Sequence, residues 1–322
     1  KDLGGVGVYV GTHALLTASK AIPNIGLVII DEQHRFGVSQ RSSLLDQSDP
    51  TPHLLTMTAT PIPRTMARAL FANIDLSTLS MLPAGRKKIK TWVVPKDKRD
   101  NAYLWITKQI TDMLGQAFII CPLIEESETL TSVRAVTTEY KKLRGVFSDL
   151  RLGLLHGRMK PSEKDTVLSQ FRKREIDILV ATPVVEVGID VPNATIMMIE
   201  AAQRFGLAQL HQLRGRVGRR DLSSYCLLFT EDENESTMKR LKAMETIFSG
   251  PELAEVDLKL RGPGDLFGTR QHGLPNLKIA TLSDASLIAE TQRAANTIFP
   301  DLAEYRHLRA KLEKGTIATV QD

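Results

Sequence analysis

The chain has 322 residues, of which 42% are hydrophobic, 25% charged and 5% aromatic; this ordinary globular composition excludes a disordered, collagenous or disulfide-built molecule. A formal net charge of +5 is too mild on so long a chain to identify a polyanion partner by itself, so the placement of the cations must decide. The length exceeds the roughly 250–300 residues at which single cores stop growing, and no apolar run approaches the roughly 18 residues of a membrane span.

Taken in order, short aliphatic and β-branched runs recur: VGVYVGT, GLVIIDE, HLLTMTAT, TWVVP, QAFIICP, RLGLLHG, IDILVAT, ATIMMIE and YCLLFT. Helix-length segments separate most of them, and strands apolar on both faces that alternate with helices predict parallel sheets covered on both sides. The fold class is α/β. Three strands precede LPAGRKKIK, residues 82–90, where proline and glycine lead into a basic cluster without apolar period; this reads as a linker. About six strands follow it, so residues 91–230 form a complete second domain, whereas residues 1–81 form a sheet cut short. Residues 231–322 open with the acidic EDENES, then show a helical stretch near 237–248, the glycine-rich LRGPGDLFGTRQHGLP and a helical segment near 283–314. The two cysteines, Cys121 and Cys226, lie in apolar runs without metal-ligand spacing, which points to a reducing compartment.

Ligands of parallel α/β sheets bind beyond the carboxyl ends of the strands. There GLVII ends on Asp31-Glu32-Gln33-His34; an Asp in that place suits Mg²⁺, and the adjacent Glu suits activation of a water on a terminal phosphate. For an isolated Asp-Glu pair, capping of the next helix is the commoner explanation. The following strand ends in TATPIPRT, whose Thr58 and Thr60 offer hydroxyls at the same edge or simply cap a proline-bounded turn. In QLHQLRGRVGRR, Arg214, Arg216, Arg219 and Arg220 are interleaved with Gly215 and Gly218. Guanidiniums so spaced suit phosphate oxygens across a cleft; the alternative, a solvated basic helix face, is weakened by the glycines.

The order DEQH, TAT, linker, second sheet and QLRGRVGR resembles the motor of superfamily-two helicases, in which two RecA-like domains sandwich ATP. Within it, IIDEQHRFGVSQR, MTATPIPRT, LPAGRKKIKTWVV, CPLIEES, LLHGRMKPSEK and RFGLAQLHQLRGRVGRR are similar to the RecG family of bacterial branched-DNA helicases, over essentially the whole chain. The transcription-repair coupling factor is the alternative; Gln33 and CPLIEES favour RecG. The resemblance implies that Asp31 coordinates the Mg²⁺ of ATP, that Glu32 activates water, and that Gln33 and His34 link nucleotide state to the motor. It gives Thr58, Thr60 and Glu186 coupling roles, places Gly188, Asp190 and Gln212 near the nucleotide, and turns Arg216 and Arg219 toward the γ-phosphate. Thr12, His13, His156, Arg158 and Thr182 are implied on the DNA path. In LRGPGDLFGTRQHG, Arg261, Arg270 and Gln271 are implied in a translocation loop that follows a helical hairpin; Asp265 stands where the family generally has Glu. The implied partners are branched or double-stranded DNA, forks and Holliday junctions, with no membrane. The implied parent is a monomer, cytoplasmic and nucleoid-associated in a bacterium.

No G-x-x-x-x-G-K-[ST] occurs in these residues, and Mg-ATP without that cradle lacks its principal anchor. The expectation is a chain that starts midway through the first motor domain, inactive alone and self-associating through its exposed half-sheet. Two other readings stand beside the motor. One is a non-catalytic DNA-binding module; the other is a nucleotide-binding α/β protein unrelated to DNA.

Overall fold

A computed structural model describes residues 7–12, 15, 24–32, 51–59, 75–79, 87–122, 129–183, 191–218, 222–261 and 285–314. The described residues of 1–60 and 289–314 fall in one compact unit, and those of 61–269 with 285–288 in another.

The first unit holds a two-stranded parallel sheet, β1 (Leu27–Ile30) beside β2 (His53–Thr56), in the register Ile30↔Thr56. Val28 and Ile30 are buried, whereas Leu27, Ile29 and Leu55 are each about half exposed on the other face. Residues 7–12 of the run VGVYVGT, expected as a strand, are not in strand conformation, and Val8 and Val10 are almost fully exposed.

The second unit is a six-stranded, all-parallel sheet of β3 (Lys90–Val94), β4 (Gln116–Ile120), β5 (Leu152–Leu155), β6 (Ile178–Ala181), β7 (Ala194–Ile199) and β8 (Tyr225–Phe229), in the order β3-β8-β7-β4-β6-β5. β4 and β6 are wholly buried, as central strands covered on both faces must be. On one face α1 (Arg99–Met113) and α2 (Thr129–Val146) pack Tyr103, Ile106, Ile110, Val136 and Leu143 onto Ile119, Val180, Met198 and Phe229. On the other, α3 (Pro161–Arg172), α4 (Leu207–Arg214), α5 (Glu235–Thr246) and α6 (Gly250–Arg261) close over Phe118, Leu179, Met197 and Leu228. Sequence sets several ends. Pro161 opens α3 in the first turn, where its missing N–H costs nothing, and Glu163 accepts the Lys160 N–H at 2.9 Å. α4 stops at Gly215, and the chain then bends through Gly218 at φ +71, a left-handed conformation that favours glycine.

Two boundaries differ from expectation. The linker ends before residue 90, because Lys90 already pairs in β3 and Ile89 is buried. The helix expected over 283–314 is two, α7 (Ala285–Ile298) and α8 (Arg306–Lys314), separated by a 3-10 turn at Phe299–Asp301. Pro300 cannot supply the N–H that would continue the helix.

Candidate active site

The first unit places Asp31 and Thr58 at one sheet edge. β1 and β2 end in register, and Met57 N–H donates to Ile30 O at 2.7 Å, so both side chains leave from the carboxyl ends of adjacent parallel strands. Asp31 is exposed, and its Oδ1 accepts the Glu32 N–H at 2.9 Å. Glu32 is held at φ +54; a left-handed backbone at a residue with a long side chain costs about 1 kcal/mol or more and is concentrated at functional turns. An exposed carboxylate fixed at a strand end suits a hydrated divalent cation. Thr12 is exposed and its carbonyl accepts the Leu15 N–H. His13, Gln33, His34 and Thr60 lie outside the described residues.

The carboxyl edge of the second unit gathers His156, Arg158 and Thr182 from β5 and its neighbour β6. Thr182 N–H extends the ladder to Leu155 O, while its Oγ1 is buried without a hydrogen-bond partner. His156 Nδ1 is likewise buried and unpartnered, and the imidazole is held below its ordinary pKa by burial and then by Lys164. It is therefore neutral near pH 7. Two buried polar atoms without partners on adjoining strands are costly unless a ligand answers them. Arg158 is exposed in the turn after β5, and Lys164 donates to Gly157 O at 2.6 Å, pinning that turn to α3. Pro183 follows Thr182 and is buried; Glu186, Gly188 and Asp190 lie outside the described residues.

The arginine segment divides into unlike parts. Arg214 is 3% exposed; its guanidinium donates to Met244 O at 2.8 Å, Ile247 O at 3.1 Å and Phe248 O at 3.4 Å, contacts His211 Nδ1 and lies 5.5 Å from the Phe248 ring centroid. It is a structural tie, not a solvated basic residue. Gln212 and Arg216 are half-buried on and just beyond α4. Arg219 lies outside the described residues, as do Arg270 and Gln271; Arg261 closes α6.

Sequence reading did not single out what holds α4. At its start the Leu207 N–H, which no preceding turn can satisfy, donates to Asp257 Oδ2 of α6 at 3.1 Å. Arg240 of α5 donates at 2.7 Å to both Phe205 O and Gln203 O and sits 3.8 Å from Asp257. With Arg214 at the other end, the α5–α6 hairpin grips both termini of the helix that leads to Arg216. The signal was faint: one Arg and one Asp on ordinary amphipathic helices. A second pair, between half-buried Arg99 and buried Glu200 at 2.8 Å, joins α1 to the end of β7. Burial raises the Glu200 carboxyl against the opposing pull of Arg99, and the pairing more than offsets burial at Arg99 itself. Cys121 and Cys226 are free and buried; burial pushes the Cys226 thiol up to about 12, so neither is a poised nucleophile.

Residues 105–221 match the helicase conserved C-terminal domain, and residues 248–307 match the C-terminal part of domain 3 of the ATP-dependent DNA helicase RecG. The chain is 46% identical to ATP-dependent DNA helicase RecG of Synechocystis sp. over 96% of its own length and 37% of that protein. It is 45% identical to RecG of Staphylococcus aureus over 98% and 46%, and 48% identical to RecG of Thermotoga maritima over 87% and 36%. It thus spans less than half the length of these relatives. A structure of RecG bound to a three-way DNA junction superposes with a TM-score of 0.65 at 42% identity, over 87% of this chain and 35% of that one. S. cerevisiae Dbp5 bound to RNA and ADP BeF3 shares the fold at a TM-score of 0.50 and 18% identity, over 74% and 63%. With its parallel-sheet RecA-like architecture, the chain belongs to the RecG family of helicases.

Proposed function

We propose that this chain forms part of the motor of an ATP-dependent DNA helicase and translocase that remodels stalled forks and Holliday junctions in recombination and repair. Residues 1–81 belong to the first RecA-like domain, 82–88 to the linker, 89–230 to the second domain and 231–322 to a helical region bearing the translocation loop. Asp31 holds the Mg²⁺ of the nucleotide, Glu32 orients and deprotonates water, and Gln33 with His34 passes the nucleotide state onward. Bound Mg²⁺ supplies charge neutralisation on the phosphates. Gly188, Asp190 and Gln212 line the nucleotide, Arg216 and Arg219 face its terminal phosphate, and Thr58, Thr60 and Glu186 couple turnover to motion. Thr12, His13, His156, Arg158 and Thr182 hold DNA by its backbone, so that stepping is independent of sequence. Arg261, Arg270 and Gln271 act in the loop on duplex DNA. The gene product works as a cytoplasmic, nucleoid-associated monomer.

The observation that carries this reading is the place of Arg216. It stands half-exposed in a turn whose flanks are locked, Arg214 by three carbonyls and Gly218 by its close approach to Ile89. A guanidinium presented from a rigid support is what transition-state charge stabilisation requires. Branched-DNA-stimulated ATP turnover by the full-length gene product should fall about 1,000-fold with Arg216→Ala, and turnover within threefold of wild type would sink the assignment. The 322-residue chain alone should show no turnover, since it carries no glycine-lysine phosphate cradle.

A further inference from the structure

Phe248 lies outside every motif the sequence draws attention to, yet two cations converge on it. The Lys88 ammonium is 5.0 Å from the ring centroid and the Arg214 guanidinium 5.5 Å, and the Phe248 carbonyl also accepts from Arg214. Lys88 is exposed and belongs to the basic linker. Its neighbour Ile89 is 7% exposed, and a Cβ on Gly218 would meet Ile89 Cγ1 at 3.0 Å. Lys90 N–H then donates to Ser224 O at 3.0 Å. Two consecutive linker-exit residues therefore touch the arginine segment or its support, Lys88 through Phe248 to Arg214 and Ile89 at Gly218, and Lys90 pairs just beyond the segment. Arg216 sits between the two points of contact.

We propose that Lys88, Ile89 and Phe248 form a seat through which the linker sets the position of Arg216, with Phe248 a positioning residue for phosphoryl transfer. This rests on the reading of Arg216 given above. A ring face attracts a cation with an energy that aliphatic carbon does not reproduce, so the seat responds to loss of aromatic character even at constant apolar volume. A linker under tension moves Lys88 and Ile89 together, and both contacts deliver the displacement to the same five-residue turn. Small displacements of a catalytic group are costly in rate.

The test is a set of variants in the full-length gene product: Phe248→Leu, Phe248→Tyr, Lys88→Met and the double variant Lys88→Met/Phe248→Leu. The readouts are kcat and KM for ATP with branched DNA. Phe248→Leu should lower kcat about tenfold with KM for ATP within twofold, and Phe248→Tyr should restore it. Lys88→Met, a change at an exposed side chain that folding tolerates, should lower kcat severalfold. The double variant should fall no further than Phe248→Leu, because both act through one ring. Wild-type kcat in Phe248→Leu or Lys88→Met overturns the seat. So does an equal loss in Phe248→Tyr and Phe248→Leu, or strict additivity. Absence of DNA-stimulated turnover in the wild type would instead overturn the motor reading, a separate result. Should Phe248→Leu fail to fold, judged by circular dichroism, Lys88→Met with Phe248→Tyr decides.

Discussion

Arg214 and Arg216 stand two residues apart in QLRGRVGR and are indistinguishable by composition, yet the fold predicts opposite consequences for removing them. Arg214→Ala strands the carbonyls of Met244, Ile247 and Phe248 around a site that is 3% exposed in the wild type. An unpaired buried acceptor costs about 1–3 kcal/mol. Taking about 1.5 kcal/mol for each of the two shorter bonds, and little for the one at 3.4 Å, gives about 3 kcal/mol. Lost stem packing and the Phe248 ring face add about 1 kcal/mol, for a total of about 4 kcal/mol. Arg214→Lys keeps the charge but cannot reach three diverging carbonyls, and should cost about half as much. Arg216→Ala acts at a water-accessible position and should cost under about 1 kcal/mol. The assay is urea unfolding followed by tryptophan emission. The chain has only two tryptophans, Trp92 and Trp105, and they meet edge to face at 5.7 Å within the second unit. Unfolding is therefore read where the substitutions act. If Arg214→Ala costs less than about 1 kcal/mol, or Arg216→Ala costs as much as Arg214→Ala, the division of the segment into support and effector is wrong.

Asp257→Ala should destabilise the second unit by about 2 kcal/mol in the same unfolding assay, because the Leu207 N–H loses its acceptor and Arg240 its acidic neighbour; a change under about 0.5 kcal/mol would remove Asp257 from the α4 support. His156 should titrate below the ordinary histidine value of 6.5. Because its neutral form is favoured in the fold, its contribution to stability is present above that value and is lost as pH falls through and below it. Nitrogen-detected NMR should show this, and should show the pKa rising when a short DNA duplex is added, whereas an unmoved imidazole would place DNA elsewhere. The 322-residue chain should elute above its monomer mass with a concentration dependence, through the apolar face of Leu27, Ile29 and Leu55. Ile29→Lys should return it toward monomer, and a wild-type monomer at all concentrations would contradict the expectation.

How much of this was legible in the sequence depends on what carried the signal. The six strands of the second unit were, because each is a short aliphatic or β-branched run between helix-length segments, and the central ones, such as IDILVA, are apolar on both faces. VGVYVGT has the same local pattern, yet its described residues 7–12 are not in strand conformation, because β propensity depends on context that local pattern does not carry. Lys90 and Ile89 were misassigned to the linker because a basic cluster hides a buried isoleucine. The position of Asp31 and Thr58 at a carboxyl edge was legible because each directly follows an aliphatic strand run, whereas His156 and Thr182 were singled out only through the family resemblance. The supports were not: Asp257, Arg240, Phe248 and Glu200 act through a backbone amide, backbone carbonyls or a guanidinium 34 to 101 residues away, and such pairings leave no local periodicity.

The same distinction revises what the net charge means. A surplus of five positive charges was too small to name a polyanion, but the count treats every cation alike. In the second unit Arg99, Arg214 and Arg240 are committed to Glu200, to backbone carbonyls and to the Asp257 neighbourhood, and they contribute little field to the outside. Exposed Arg158 and Lys160, by contrast, crowd the carboxyl edge of β5 beside His156, with Lys164 on the first turns of α3. After burial itself, Lys164 and then Arg158 depress the imidazole, against the opposing pull of Glu163. A neutral histidine among cations is a group whose protonation an arriving phosphate would favour. On the proposed DNA path the attraction for phosphate would then grow as DNA arrives, and the local arrangement of a few side chains, more than the sum over the chain, is what the proposal rests on at this edge.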